Sequence, residues 1–230
     1  MNLWQKSFAA LLVGTCLVGF RAFPFKWNVS ASDPTIWVRL CSGSPNIEKH
    51  DYPSGDPLAG QTPSFQQVVQ SVIDDINNVP TSYVRLALYP ADPNNPGAAL
   101  PGDSTFTLNR ASERTIDICF DGTSPTAGLS AGHASARRQN GRYIGCEIKA
   151  RGETAKNGKF LVGLLTHELG HCLGLGHNFE STKSVMSYFA SEDIIRFQND
   201  DRAGLTYHYP EDAAMAAEQS TLGLGGCDPK

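Results

Sequence analysis

The chain has 230 residues, of which 40% are hydrophobic and 18% are charged, and its formal net charge is −4. This length suits one sizeable domain with a buried core, and the composition is ordinary for a folded soluble protein. The acidic balance offers no broad basic surface, so nucleic acid is not an expected partner and function is sought in a local site.

The N-terminus has the pattern of an export signal, which we assign to residues 1–22. A single cation at Lys6 precedes an apolar run from Ser7 to Phe20. That run is too short to span a bilayer as a helix, so the pattern predicts secretion without stable membrane insertion. The mature protein is then extracellular, or periplasmic if its source is a Gram-negative bacterium. The sequence leaves the cleavage point open.

Five cysteines remain after such a signal, and none belongs to a CxxC pair, so a zinc site built of cysteines is not expected. In an oxidising compartment they predict two disulfides and one odd thiol, with the pairing left open. These residues are Cys41, Cys119, Cys146, Cys172 and Cys227.

The first predicted strand is Thr35–Cys41, in which Ile36, Val38 and Leu40 share one face at a period of two. An amphipathic helix follows. Its apolar positions recur at helical spacing, Ser64 and Gln67 form a capping box, and Pro80 ends the pattern. The apolar positions are Phe65, Val68, Val69, Val72, Ile73 and Ile76.

The remaining pattern predicts four more strands and two more helices. The strands are Tyr83–Tyr89, Thr115–Phe120, Leu129–Ala136 and Tyr143–Ala150, the last after a turn at Asn140-Gly141. The helices run from about Phe160 to Leu173 and from about Asp200 to Tyr209, where Pro210 stops the second. This order suits an α+β domain, with helices packed on a twisted mixed sheet, over residues 23–210. Residues 211–230 form a C-terminal tail.

Residues 167–177 read His-Glu-Leu-Gly-His-Cys-Leu-Gly-Leu-Gly-His. Average residue usage gives the five fixed positions of HExxHxxGxxH by chance on the order of once in a hundred thousand chains of this length. Residues four apart on a helix have Cβ atoms about 5–6 Å apart, so His167 and His171 can both ligate one zinc ion. Glu168 flanks that ion, where it can act as a general base.

The third histidine requires the helix to end. On a continued helix His177 would lie about 9 Å beyond His171 along the axis and face away from the ion. Gly174 allows the break, because glycine takes a left-handed conformation at little steric cost and the chain can then turn back. Cys172 is rotated about 100° from His171, so it is expected to face the core or a disulfide partner rather than the metal.

This motif resembles that of the metzincin clan of zinc metallopeptidases. Ser184-Val185-Met186-Ser187-Tyr188 resembles the Met-turn that underlies the zinc in that clan. The short gap to this turn and the stretch from Asp200 to Tyr209 are most similar to the matrixins, whereas Tyr188 is similar to the astacin and serralysin pattern.

The resemblance implies a zincin-like fold with an active-site helix and a C-terminal helix. It implies a secreted endopeptidase that binds one Zn²⁺ and hydrolyses peptide bonds with Glu168 as the base. Tyr188 is then a further ligand or an oxyanion donor, or it packs under the site. The strand Leu129–Ala136 resembles the edge that pairs with an extended peptide substrate in this clan.

Several alternatives stay open. The main one is a catalytically silent binding module that keeps the fold and the zinc, although the intact Glu168 argues against it. Calcium is possible near residues 92–103 and 121–128, but Asp, Asn and Gly there are also ordinary turn formers. Cys41 invites comparison with the cysteine switch of matrixin precursors, yet it ends the first predicted strand and a structural or disulfide role is expected instead. No second, structural zinc is predicted, and the oligomeric state is not readable from the sequence.

Overall fold

A computed structural model describes residues 21–41, 45–89, 114–121, 131–179, 181–188 and 191–211. These ranges contain eight strands and three α-helices. The strands are β1 (Arg21–Ala22), β2 (Lys26–Trp27), β3 (Thr35–Leu40), β4 (Arg85–Leu88), β5 (Thr115–Asp121), β6 (Gly132–Gln139), β7 (Arg142–Arg151) and β8 (Leu175–Gly176). The helices are α1 (Phe65–Asn77), α2 (Gly158–Cys172) and α3 (Asn199–His208), and a 3₁₀ turn at Thr154–Lys156 precedes α2.

Six strands form one mixed sheet. Five of them follow the order β2-β7-β5-β3-β4, and the sixth, β6, also pairs with β7. All pairings are parallel except β6 with β7, which is antiparallel. The remaining two strands, β1 and β8, form a small antiparallel pair of their own. Since β6 pairs with β7 alone among the described strands, it is an edge of the sheet.

The helix α1 shows why its sequence pattern was easy to interpret. The Ser64 side chain accepts from the Gln67 backbone N–H, and the Gln67 side chain accepts from the Ser64 backbone N–H, so the capping box is present. All six predicted apolar positions are buried. The core that they enter also contains Ile36 and Val38 of β3, Ile116 and Ile118 of β5, and Leu161, Leu165 and Leu169 of α2.

The antiparallel hairpin of β6 and β7 extends further than predicted. Asn140 and Gly141 both have positive φ, 50° and 73°, which suits a two-residue turn whose twist matches the strands. The ladder therefore continues to Gln139 and Arg142, directly beside the turn. The first residues of the predicted strand, Leu129 and Ser130, lie outside the described residues.

Two disulfides are present, as predicted. Cys41–Cys119 links the end of β3 to the adjacent β5, which confirms the disulfide role expected for Cys41. Cys146–Cys172 links β7 to the last residue of α2, so Cys172 faces away from the metal position, as expected. Cys227, the predicted odd thiol, lies outside the described residues, as do the loops considered for calcium except for Asp121 at the end of β5.

Short elements near the N-terminus were not predicted. Arg21 pairs with Gly176 and Ala22 with Leu175, and Lys26 and Trp27 pair with the start of β7. Two-residue strands carry no periodicity, so a sequence pattern cannot reveal them. No described helix has the length and apolarity needed to cross a bilayer.

Candidate metal centre

Three imidazoles converge where α2 ends. His167 and His171 lie on α2, and His177 follows the short strand β8. The Nε2 atom of His177 is 3.2 Å from Nε2 of His167 and 3.1 Å from Nε2 of His171. The ligand atoms of all three residues lie within 4.8 Å of one another.

The other ring nitrogens fix how two of these imidazoles are oriented. Nδ1 of His167 donates to the carbonyl of Val185 at 2.7 Å, and Nδ1 of His171 donates to the carbonyl of Leu175 at 2.8 Å. With the proton on Nδ1, each ring directs an Nε2 lone pair at the position where the three side chains meet. Converging lone pairs repel one another unless a cation lies between them.

The arrangement fits zinc. Tetrahedral Zn–N bonds of about 2.0–2.1 Å place neighbouring ligand nitrogens about 3.3 Å apart, close to the two distances measured to His177. Burial is the main cause that lowers the pKa of all three imidazoles, and it lowers that of His171 to about 3. The rings are therefore neutral at pH 7, the form in which imidazole binds a metal.

Glu168 lies beside this cluster with one carboxylate oxygen engaged and the other open. The residue is 5% exposed. The backbone N–H of Ala134 in β6 donates to the carboxylate, while Oε2 is buried without a hydrogen-bond partner among the described residues. Burial raises the pKa of Glu168 to about 7, against the opposing effect of the Ala134 bond. A carboxyl with this pKa can both take up and release a proton near neutral pH.

The break in the helix occurs where the sequence predicted it. Gly174 has a φ of +97°. A Cβ at this position would lie 3.0 Å from the Phe25 carbonyl oxygen and 3.1 Å from Nε2 of His208. Gly174 is thus required both by its left-handed backbone and by the close approach of its neighbours.

Met186 packs directly beneath α2. It is 2% exposed, and a Cβ at Gly170 would overlap its Sδ atom. The close contact depends on glycine at one of the two variable positions between His167 and His171. The backbone around Met186 is tied to the segment after His177, because Asn178 N–H donates to the Met186 carbonyl at 2.8 Å.

Asp201 of α3 holds the same turn from the other side. Its carboxylate, 2% exposed, accepts hydrogen bonds from the backbone N–H groups of Val185, Met186 and Gln198 and from the Ser184 hydroxyl. The peptide unit between Val185 and Met186, whose carbonyl accepts from His167, is therefore also fixed through the Met186 N–H.

Tyr188 stands at the open side of the cluster. Its ring lies 5.0 Å from that of His177 and stacks on Phe179 at 5.2 Å, with an angle of 17° between the planes. Tyr188 is 61% exposed and Phe179 is 47% exposed. The ring of Tyr188 therefore does not fill the core under the site.

The edge strand β6 runs past Glu168. Gly132, Ala134 and Ala136 alternate with more exposed residues, and a Cβ at Gly132 would crowd Leu164 of α2. Small residues on this face let α2 approach, so the N–H of Ala134 reaches the Glu168 carboxylate. The edge and the base are in direct contact.

Seven residues were singled out in the sequence. Six of them lie in the histidine cluster or directly against it: His167, Glu168, His171, Gly174, His177 and Met186. The seventh, Tyr188, lies on the exposed side of the cluster. Sequence reasoning missed Ala134, Gly170, Asp201 and His208. None of these four residues is a fixed position of the HExxHxxGxxH motif. Ala134, Asp201 and His208 also lie outside α2 and the turn that follows it. A possible signal was the Asp200-Asp201 pair at the start of α3, because acidic residues favour helix N-termini, but that reasoning gives no contact with the Met-turn.

The model of the matrixin family of peptidases matches residues 78–210, which is more than half of the chain. The match includes the three histidines, Glu168 and the turn at Met186. No curated protein matches the chain significantly.

Proposed function

The chain belongs to the matrixin family of zinc-dependent metallopeptidases, and from this premise we propose that it is a secreted endopeptidase. We propose His167, His171 and His177 as its zinc ligands and Glu168 as its general base. The observation that carries the proposal is the open Oε2 of Glu168, buried beside three imidazoles whose Nε2 atoms converge. A site that served structure alone needs no such base.

His167, His171 and His177 would hold the zinc ion, which would supply a Lewis acid able to polarise a peptide carbonyl and to lower the pKa of a water molecule. Glu168 then accepts a proton from the attacking water as its oxygen bonds to the carbonyl carbon. The same carboxyl delivers that proton to the leaving nitrogen as the C–N bond breaks. In the metal-free site, burial raises the pKa of the Glu168 carboxyl to about 7, which favours its taking up a proton.

Gly174 and Met186 support this chemistry without touching the substrate. Gly174 closes α2 so that the chain can deliver His177, and Met186 packs against Gly170 under the two ligands of the helix. Tyr188 is proposed as a further ligand or as an oxyanion donor, because its ring lies beside that of His177 on the exposed side.

We propose that a peptide substrate binds along the edge strand β6. An extended peptide paired with this edge gains backbone hydrogen bonds and passes Ala134, the residue whose N–H contacts Glu168. The scissile bond is thereby brought close to the base.

Export is supported by the two disulfides, since such bonds persist in oxidising compartments. The signal at residues 1–22, the catalytic domain at 23–210 and the tail at 211–230 remain predictions. The pairing of Arg21 and Ala22 with β8 falls inside the predicted signal. Mass spectrometry of the secreted protein would locate the cleavage point.

The test is Glu168→Ala, compared with the wild type on a broad peptide library. We expect the variant to keep its zinc, since Glu168 is not a ligand, and to lose cleavage by several orders of magnitude. Glu153→Ala, which removes an exposed carboxylate ahead of α2, is the matched control and should cleave normally. Undiminished cleavage by Glu168→Ala would remove Glu168 as the base, and equal inactivity of the wild type would favour the silent binding module.

A further inference from the structure

The end of α2 is held by donors that come from outside the helix. The last carbonyls of a helix have no partner within it. Here the Cys172 carbonyl accepts from the Trp27 indole at 2.7 Å, that of Leu173 from the Tyr209 hydroxyl at 3.1 Å, and that of Gly174 from His208 Nε2 at 2.9 Å. Three successive carbonyls thus each bind a different aromatic side chain, and we call Trp27, His208 and Tyr209 the aromatic clamp.

The clamp is buried and internally connected. Trp27 is 1% exposed, Tyr209 is 0% exposed and His208 is 6% exposed. The Tyr209 hydroxyl also accepts from the Trp27 backbone N–H at 3.3 Å. Two chain segments, β2 and the end of α3, therefore close over the same helix terminus. The Cys172 or Leu173 carbonyl, deprived of its aromatic donor, would lose a buried hydrogen bond, which costs about 1–3 kcal/mol. The Gly174 carbonyl also accepts from the Phe23 backbone N–H at 2.8 Å, so His208 supplies the second of its two bonds.

The clamp reaches the metal position through the backbone. The Leu175 carbonyl, next in the chain after Gly174, accepts from Nδ1 of His171. His177 follows two residues later. The conformation of residues 172–175 therefore decides both how the His171 ring is oriented and where His177 arrives.

We propose that Trp27, His208 and Tyr209 are positioning residues that set the metal affinity of the site by fixing the turn between His171 and His177. This inference rests on the proposed metal site. The aromatic clamp touches neither the metal position nor a substrate, so its effect passes through the carbonyls of residues 172–174.

The test measures Zn²⁺ binding by competition with a chromophoric chelator, together with the visible absorption spectrum of the Co²⁺-loaded protein, which reports ligand geometry. His208→Phe and Tyr209→Phe should each raise the Zn²⁺ dissociation constant about tenfold, the lower end of the 10–100-fold range typical of residues behind metal ligands. Both should also alter the Co²⁺ spectrum. His208→Gln, whose amide nitrogen can take the place of Nε2, should restore the wild-type affinity and spectrum.

Tyr83→Phe is the matched control. It removes a tyrosine-to-carbonyl bond of 3.1 Å, from Tyr83 to Val29, which is equal in length to that of Tyr209. The ring of Tyr83 packs edge-to-face on that of Tyr209, so the variant changes a neighbour of the aromatic clamp without removing any of its bonds to residues 172–174. Tyr209→Phe should lower the free energy of unfolding more than Tyr83→Phe, because the Tyr209 hydroxyl is fully buried and makes two hydrogen bonds. Only Tyr209→Phe should weaken Zn²⁺ binding. If Tyr209→Phe does not fold, the inference is tested by comparing the Zn²⁺ affinities and Co²⁺ spectra of His208→Phe and His208→Gln.

The inference is wrong if His208→Phe and Tyr209→Phe bind Zn²⁺ within about twofold of the wild type with unchanged Co²⁺ spectra, or if Tyr83→Phe weakens binding equally. The proposed function stands in both cases, provided that the wild type binds the ion. A wild-type chain that binds no Zn²⁺ would overturn the proposed function and this inference together.

Discussion

The two sides of the histidine cluster are built differently. On the inner side, the imidazoles of His167 and His171 are held by backbone carbonyls, and those carbonyls belong to turns fixed by Asp201 and by the aromatic clamp. On the outer side, Tyr188 and Phe179 stack on each other while 61% and 47% exposed. The inner side therefore determines where the ligands are, whereas the outer side is exposed to whatever binds.

This contrast predicts that substitutions on the inner side lower the free energy of unfolding. Asp201 and the aromatic clamp are buried with hydrogen-bond partners. Removing one of these side chains takes a bond from its partner in a low-dielectric interior. Side chains on the outer side are in water already, so substitutions there should change catalysis more than stability. The four predictions below test the contrast, beginning with the largest expected effect.

Asp201→Asn should lower the free energy of unfolding by about 4 kcal/mol. The buried carboxylate accepts four hydrogen bonds, and the amide NH₂ group that replaces one of its oxygens would face hydrogen-bond donors instead of acceptors. Asp200→Asn, the neighbouring carboxylate in the first turn of α3, is the control and should cost about 0.5 kcal/mol through the helix dipole. Chemical denaturation of both variants measures the difference. Equal losses would show that the Met-turn does not depend on Asp201.

Protonation of His208 at acidic pH should lower the free energy of unfolding. Burial, opposed by the hydrogen bond to Gly174 and assisted by Lys26, lowers the pKa of His208 to about 4 from 6.5. Because the folded state resists protonation, this contribution to stability is complete above pH 6.5 and is lost as the pH falls to about 4. The shift corresponds to about 3 kcal/mol. The metal-free wild type should lose this amount relative to His208→Gln between pH 7 and 4, and parallel pH profiles would contradict the assignment.

Gly174→Ala tests the break in α2, with Gly55→Ala as its control. Both glycines have a φ near +95°, 97° and 93°, but a Cβ at Gly55 would meet nothing within 4 Å. Backbone strain alone should cost Gly55→Ala about 1 kcal/mol, and crowding against Phe25 and His208 should bring the loss in Gly174→Ala to about 2 kcal/mol or more. Thermal unfolding compares the two. Identical losses would mean that the neighbours of Gly174 adjust freely.

Tyr188→Phe should have the smallest effect, and it should fall on catalysis. The variant keeps the stack on Phe179 and removes only the hydroxyl, so its melting temperature should match that of the wild type. We expect kcat to fall about tenfold, less than the 10²–10³ typical of a buried oxyanion donor, because a hydroxyl on an exposed ring acts in competition with water. An unchanged kcat would exclude a catalytic role for Tyr188.

The parts of the molecule that the sequence predicted are those determined by neighbours along the chain. Helix α1 carries its own cap and its own apolar face, and the ligand spacing of α2 follows from one turn of helix. Gly174 was predictable because only a break could return His177 to the cluster. Each of these follows from geometry within about ten residues.

The donors that hold the inner side were not predictable in this way. Trp27 and Cys172 are separated by 145 residues, and Asp201 lies 15 or more residues from the Met-turn groups that it accepts from. Periodicity and spacing carry no information about such pairs, since they depend on how the whole chain packs. The strands β1, β2 and β8 were missed because two residues are too few to show a periodicity.

The central claim is that three imidazoles meet at one ion while a fourth position stays open to water. Crystallography of the zinc-loaded protein, with anomalous data collected at the zinc edge, tests it directly. We predict one strong anomalous peak within about 2.0–2.1 Å of Nε2 of His167, His171 and His177, with an oxygen as the remaining ligand next to Glu168. A peak elsewhere, or a His177 ring turned away from the ion, would contradict the account.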